Sequence, residues 1–249
     1  MLADLQARAD DGDADAATRL YRDLHRCAAV RDANRTVPIA AQHFLNEKAD
    51  KMSAEELKSM NVMLGMLDER LKFARENAVL CDGIEPTDLD ALVPTTLQAA
   101  LLGDDEAANC YLGSNLTLEP GLLDHPEWLV DFKQNALRIA DTEVERGDWT
   151  AVKQLAFAYK GSFSGNLLSQ ATGLDTLQAY RYLKLWRLGA EAGKSTEYLD
   201  TELVTAAKQL APDAISSGDA WAQETYRRNF SGVPVDPKGS INVCQLKDM

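Results

Sequence analysis

The sequence predicts an all-α protein in which antiparallel helix pairs stack in an α/α superhelical, solenoid-like array. Three observations carry this. A Gly-Asp-x-x-Ala unit recurs at joins between helical stretches, running from Gly12 to Ala16, from Gly103 to Ala107 and from Gly147 to Ala151. Amphipathic segments follow one another with short joins, and none shows the strict alternation of a strand. Ala and Leu are frequent while Val and Ile are few, a balance that favours helix over strand. The Gly-Asp unit has a physical meaning. Gly closes one helix because it adopts the left-handed conformation after the last turn. Asp opens the next by accepting orphan backbone N–H groups. Ala three residues on keeps the first turn slim, so a neighbouring helix can approach.

Residues 2–11 predict a short helix stopped at Gly12. Residues 14–31 predict a second, with Ala17, Leu20, Tyr21, Leu24 and Ala28 on one face. Asn34 to Pro38 breaks it, and a third helix follows over roughly 38–50. Ser53 with Glu56 forms a capping box that opens a helix to about Val79. Leu57, Met60, Leu64, Leu67, Leu71 and Ala74 make an a/d seam along it, suited to antiparallel neighbours. Met63 and Met66 widen the stripe, which is read as core-facing rather than as a methionine-rich partner groove.

Cys81-Asp82-Gly83 ends this segment, and Pro86 and Pro94 punctuate two short helices before Gly103. Residues 105–113 are helical, and Gly113 to Gly121 is a loop. Pro126 starts a helix that runs to Gly147 through Leu129, Phe132, Ala136, Ile139, Ala140 and Val144. Residues 149–160 follow, then a loop from Gly161 to Gly173. Asp175 caps a helix through Ala192, Ser195 caps another to about Leu210, and Pro212 opens the last, to about Asn229. A fourth Gly-Asp copy, at Gly218, falls inside that last helix, where a glycine costs ~1 kcal/mol. The expected organisation is one helical-repeat domain over 1–230, in which 1–84 can form a sub-bundle, and an irregular tail over 231–249.

The three confident joints lie 91 and 44 residues apart. Helix-pair repeats run roughly 34 to 47 residues, so these spacings read as two units and one. Within 147–193 the order is Gly147, Asp148, Ala151, Leu155, Tyr159, Gly161, Asp175, Ala179, Tyr182, Ala190 and Gly193. This resembles the Sel-one-like repeat, a short relative of the tetratricopeptide repeat. The turn from Gly161 to Asp175 is longer than that family's, and the second helix is about a turn longer. The match covers about a fifth of the chain and is built from packing residues. The resemblance implies a scaffold or adaptor role, often in bacterial signalling, secretion or assembly, and brings no catalytic residue with it.

The 249 residues carry a net charge of −13. Such a surface repels phosphate backbones, so nucleic acid is not expected as a partner. No run of 18 apolar residues occurs, so no membrane insertion is expected. The start Met1-Leu2-Ala3-Asp4 has no basic or apolar leader. The expected compartment is periplasmic if Met1 replaces a removed signal peptide, and cytoplasmic otherwise. The sequons at Asn34 and Asn115 carry no weight without such a signal.

Cys27, Cys81, Cys110 and Cys244 show neither CxxC nor zinc-finger spacing. Cys27 falls late in the second helix and Cys81 just after the long one. They are expected to form a disulfide in an exported protein, and to lie as buried thiols in a reducing compartment. Cys110 with Cys244 is the weaker pairing, because the tail around Cys244 cannot be placed from sequence.

His25 and Cys27 point apart on one helix, His43 and Glu47 form a surface pair, and His125 sits at a helix entrance. No HExxH, GxSxG, Walker loop or dinucleotide fingerprint occurs. No catalytic residue, metal site or cofactor is therefore expected. Trp128, Trp186 and Trp221 are expected in the core. Trp149, at a first-turn position, is the candidate exposed anchor.

The expected function is non-enzymatic: a repeat scaffold or adaptor that binds another, basic protein, of immunity or chaperone-like type. The expected contact surface is a groove between helix pairs with the 161–173 loop at one edge. The alternative is an enzyme with its active site in a groove of the array.

Overall fold

The Gly-Asp joints set where helices end. In the computed structural model Gly12, Gly103 and Gly147 have φ of 89°, 104° and 84°. At each joint the glycine N–H donates three residues back and the aspartate N–H five residues back. The first joint pairs Gly12 with Ala9 at 2.9 Å and Asp13 with Arg8 at 3.0 Å. The second pairs Gly103 with Ala100 and Asp104 with Ala99, and the third Gly147 with Val144 and Asp148 with Glu143. This is the two-bond Schellman closure. The same aspartate then caps the next helix. Asp13, Asp104 and Asp148 accept from the backbone N–H of Ala16, Ala107 and Ala151 at 3.0, 2.7 and 2.9 Å. Those three alanines are at most 1% exposed, so a neighbour does lie against each first turn.

Gly147 has a further reason to be glycine. A Cβ there would fall 2.5 Å from the Asn229 carbonyl oxygen. Gly147→Ala, strained in φ as well, is expected to cost about 2 kcal/mol. Urea unfolding checks this, and a cost below ~0.5 kcal/mol would show the joint to be tolerant.

The structure describes residues 2–45, 52–114, 124–161, 167–190, 196–235 and 244. Of these, 83% are helical and none lies in a strand. The helices are α1 (Leu2–Asp10), α2 (Ala14–Leu45), α3 (Ala54–Asn77), α4 (Leu92–Leu101), α5 (Asp105–Gly113) and α6 (Glu127–Glu145). Then come α7 (Trp149–Lys160), α8 (Leu167–Thr172), α9 (Thr176–Gly189), α10 (Glu197–Ala207) and α11 (Pro212–Thr225). Short 3₁₀ turns cover Ala78–Cys81 and Pro86–Ala91, and a π turn, Tyr226–Phe230, continues α11. The chain divides into two compact units, one reaching Thr95 and one starting at Thr96.

In the first unit α2 packs on α1 and α3. The expected break at Asn34–Pro38 does not occur, because α2 runs through Pro38 to Leu45. Pro38 is exposed, and Val30, Ala33 and Val37 are buried against Ala74, Leu67, Leu71 and Phe73. That buried stripe crosses the expected break, and its packing outweighs the lost backbone bond. The Cys27–Cys81 disulfide ties α2 to the turn after α3, with the two Cα atoms 5.4 Å apart.

The capping box at Ser53 and Glu56 is present. The seam beyond it is only half-buried, and Ala74 alone on α3 is fully buried. Val62, Met63 and Met66 are 46–63% exposed, which corrects the core reading of the two methionines. Among the described residues α3 meets α2 along one narrow stripe, and the widened flank lies outside it.

In the second unit α9 packs on α7, α10 and α11, and α7 also packs on α5, α6 and α8. Helices α7 and α9 run antiparallel. Asp175 N–H, at the start of α9, donates to Tyr159 O near the end of α7 at 3.1 Å. Trp149, at the start of α7, lies against Gly189 at the end of α9. Gly218 is buried mid-helix in α11 beneath Tyr180, so the fourth Gly-Asp copy is no joint. A second disulfide links Cys110 on α5 to Cys244, with Cα atoms 4.4 Å apart.

Two expectations fail in this unit. The 161–173 loop holds a helix, α8, whose Leu167 and Leu168 are 6% and 0% exposed. Trp149 is 6% exposed, not an outward anchor. Its indole N–H donates to Val233 O at 3.1 Å, and its ring lies 4.2 Å from that of Phe230. The segment after α11 covers it.

Between α5, α6 and α7 lies a polar seam. Asn109 donates to Asp148 at 2.9 Å, and Gln154 donates to Asn109 O at 3.2 Å. Glu143 has a side chain only 2% exposed and accepts from Arg146 at 3.0 Å. Burial pushes its carboxyl above the usual range; Asp148 and Asp105 add to the rise, and Arg146 opposes it. A raised folded value means the folded state holds the proton better than the unfolded chain does. Its contribution to stability is thus fully present below the unfolded value of about 4.3 and is lost as pH rises through the folded value. Glu143→Gln is expected to remove this slope. Unfolding free energies of both proteins between pH 4 and 7 check it, and a wild-type-minus-variant difference that stays flat would refute it.

Candidate functional site

The helix pair α7–α9 and the following α10 enclose a cleft of about 190 Å³. Its position follows from local chemistry. Gly161, at φ 70°, ends α7 and leaves Lys160 on the last turn. Asp175 begins α9 by accepting from Gln178 N–H at 3.0 Å. The chain therefore delivers Tyr159, Lys160, Leu174 and Asp175 to one mouth, and α10 adds Glu202, Thr205 and Ala206.

The floor is apolar, made by Ala179, Leu183 and Ala206. Lys160 and Glu202 pair across the mouth, with side chains 33% and 17% exposed. The Lys160 ammonium also lies 5.9 Å from the Tyr198 ring, on its face. Tyr159 stacks on Tyr182 with centroids 5.8 Å apart and planes 6° from parallel. Burial, then Asp141 and Asp175, raise the Tyr159 hydroxyl, so it stays protonated. Leu174 and Tyr198 leave apolar surface at the rim, 80% and 44% exposed.

Of the repeat-defining residues, Tyr159, Asp175 and Ala179 line this cleft, and Gly161 sits beside it against Leu174. Gly147, Asp148 and Ala151 lie at the other end of α7, where they build the joint. Leu155 is buried in the core, Tyr182 lies beneath Tyr159, and Ala190 follows α9 as its C-cap. Gly193, Ser195 and Glu47 lie outside the described residues.

None of the three histidines lines the cleft. His25 packs against Tyr21, and burial lowers its pKa. His43 neighbours Phe44. His125 stands at the entrance of α6, bonded to Glu127 at 2.8 Å and stacked on Trp128. Trp128 is buried, and Trp186 and Trp221 are half-buried among Phe157 and Tyr182. Lys160, Tyr198 and Glu202 were not singled out in the sequence. Tyr198 and Glu202 lie one turn apart on α10, but Lys160 on α7 precedes them by 38 and 42 residues, so only the packing of α7 and α10 on α9 brings it to them.

Comparison of the chain with protein-family models, with curated proteins and with solved structures finds no match. No helix among the described residues is long and apolar enough to cross a membrane.

Proposed function

We propose that this chain is a non-enzymatic interaction protein, of scaffold, adaptor or immunity type, which holds another protein at the α7–α9–α10 cleft. The observation that carries this is the state of the cleft's own groups. Lys160 and Glu202 pair across two helices, and Asp175 caps α9. They bind helices together rather than converge on a reacting atom. At about 190 Å³ the cleft is smaller than the roughly 300–1,000 Å³ of small-molecule sites. The apolar rim of Leu174 and Tyr198 offers contact area instead. Packing of α7 against α9, with the repeated joints, supports a short array of stacked helix pairs related to the Sel-one-like repeat.

Deleting the 161–173 segment is the wrong test, because it removes buried Leu167 and Leu168. The better one is affinity capture from cells that carry the native gene, with wild type and Leu174→Asp/Tyr198→Ala compared. One stoichiometric protein retained by wild type and lost by the variant supports the proposal. Capture unaffected by the variant, or turnover in a substrate screen, refutes it.

A further inference from the structure

We infer that the cleft receives an arginine side chain of the partner. This rests on the reading of the cleft as a protein-docking site and names the chemistry of its occupant. Arginine has an apolar stem and a planar guanidinium with five donors. The cleft has matching parts. Ala179, Leu183 and Ala206 form an apolar floor, and Asp175, Glu202, Thr205 and Gln209 add acidic and polar residues to the lining.

Lys160 already shows that a cation is held here, by Glu202 and over the Tyr198 ring. Its side chain is 33% exposed, so it can swing aside or share Glu202 with an incoming guanidinium. A guanidinium fork serves two carboxylates at once, which an ammonium does less well. The chain's net charge of −13 favours approach of a cationic segment over an acidic one. A purely apolar anchor would leave Asp175 and Glu202 partly desolvated with nothing gained.

Capped pentapeptides with a central arginine, citrulline, lysine or leucine between alanines test this on the full-length, disulfide-intact protein. Amide chemical shifts are followed during titration. The arginine peptide is expected to shift residues 174–183 and 202–209, with citrulline, lysine and leucine weaker by about tenfold or more. The Asp175→Asn/Glu202→Gln variant is expected to bind the arginine peptide about tenfold more weakly, because two charge-assisted bonds lose their charge. Asn still caps a helix, so the fold survives, and an unchanged circular dichroism spectrum verifies that.

Equal binding of arginine and citrulline, or an unaffected double variant, would overturn the inference. So would stronger binding of leucine, which leaves the docking proposal standing with an apolar anchor. Shifts confined to other regions overturn it too. The capture experiment separately decides whether the cleft binds a protein at all.

Discussion

Replacing both Cys27 and Cys81 by alanine is expected to lower the stability of the first unit by about 4 kcal/mol. The bridge spans a sequence separation of 54, and closing a loop of that size removes about this much unfolded-chain freedom in the chain-entropy account. The unit can ill spare it. Its α3 seam is half-buried, and the cluster around Val30, Ala33, Val37 and Ala74 is small. A loss of this size is a large share of the 5–15 kcal/mol typical of a domain. The measurement separates the units, because Trp128, Trp149, Trp186 and Trp221 all lie in the second. Tryptophan fluorescence follows that unit, while helical ellipticity follows both. The urea midpoint of the first unit's ellipticity is expected to fall by ~2 M at an m-value near 2 kcal/mol/M. A shift under ~0.5 M would mean that the bridge contributes little beyond the packing around it.

What was legible in the sequence was local. A glycine with positive φ and an aspartate cap are decided within five residues. The joints at Gly12, Gly103 and Gly147 are thus written in the chain, as is the capping box at Ser53. The pairing of Cys27 with Cys81 was legible because Cys27 lies on one recognisable helix and Cys81 just after another. Cys110 with Cys244 was not, because nothing near Cys244 fixes its place.

What was missed depends on distant partners. Pro38 does not end α2 because Val37 is buried against the cluster on α3. Leu167 and Leu168 look like a loop among glycines and serines until α6 and α7 are seen against α8. The cleft was the least legible feature. A groove edged by the 161–173 segment was expected, but Lys160, Glu202 and Tyr198, which shape its mouth, carry no motif. Their meeting depends on where α10 docks on α9.

Trp149→Ala is expected to destabilise the second unit by about 4 kcal/mol, in the range for truncating a buried Trp. Trp149 was the residue whose sequence position argued for exposure, so the substitution separates two pictures. On an exposed first turn, alanine would cost within about 0.5 kcal/mol and even favour the helix. In the structure the indole fills the space between the end of α9 and the segment after α11. It touches Gly189 and Phe230 and donates to Val233 O. Removal opens a cavity beside Gly189, which has no side chain to fill it. It also releases the backbone of 231–235, for which the indole N–H is the described side-chain tether. Trp149→Phe keeps most of the ring area and loses the hydrogen bond, so about 1–2 kcal/mol is expected. Urea unfolding followed by ellipticity gives both values, and limited proteolysis reports whether cleavage near Val233 rises. A graded order, with alanine well below phenylalanine and phenylalanine below wild type, fits a buried and bonded indole. Equal small losses for both would place the ring outside the core. Equal large losses would put the stabilisation in the single bond to Val233 rather than in the packing.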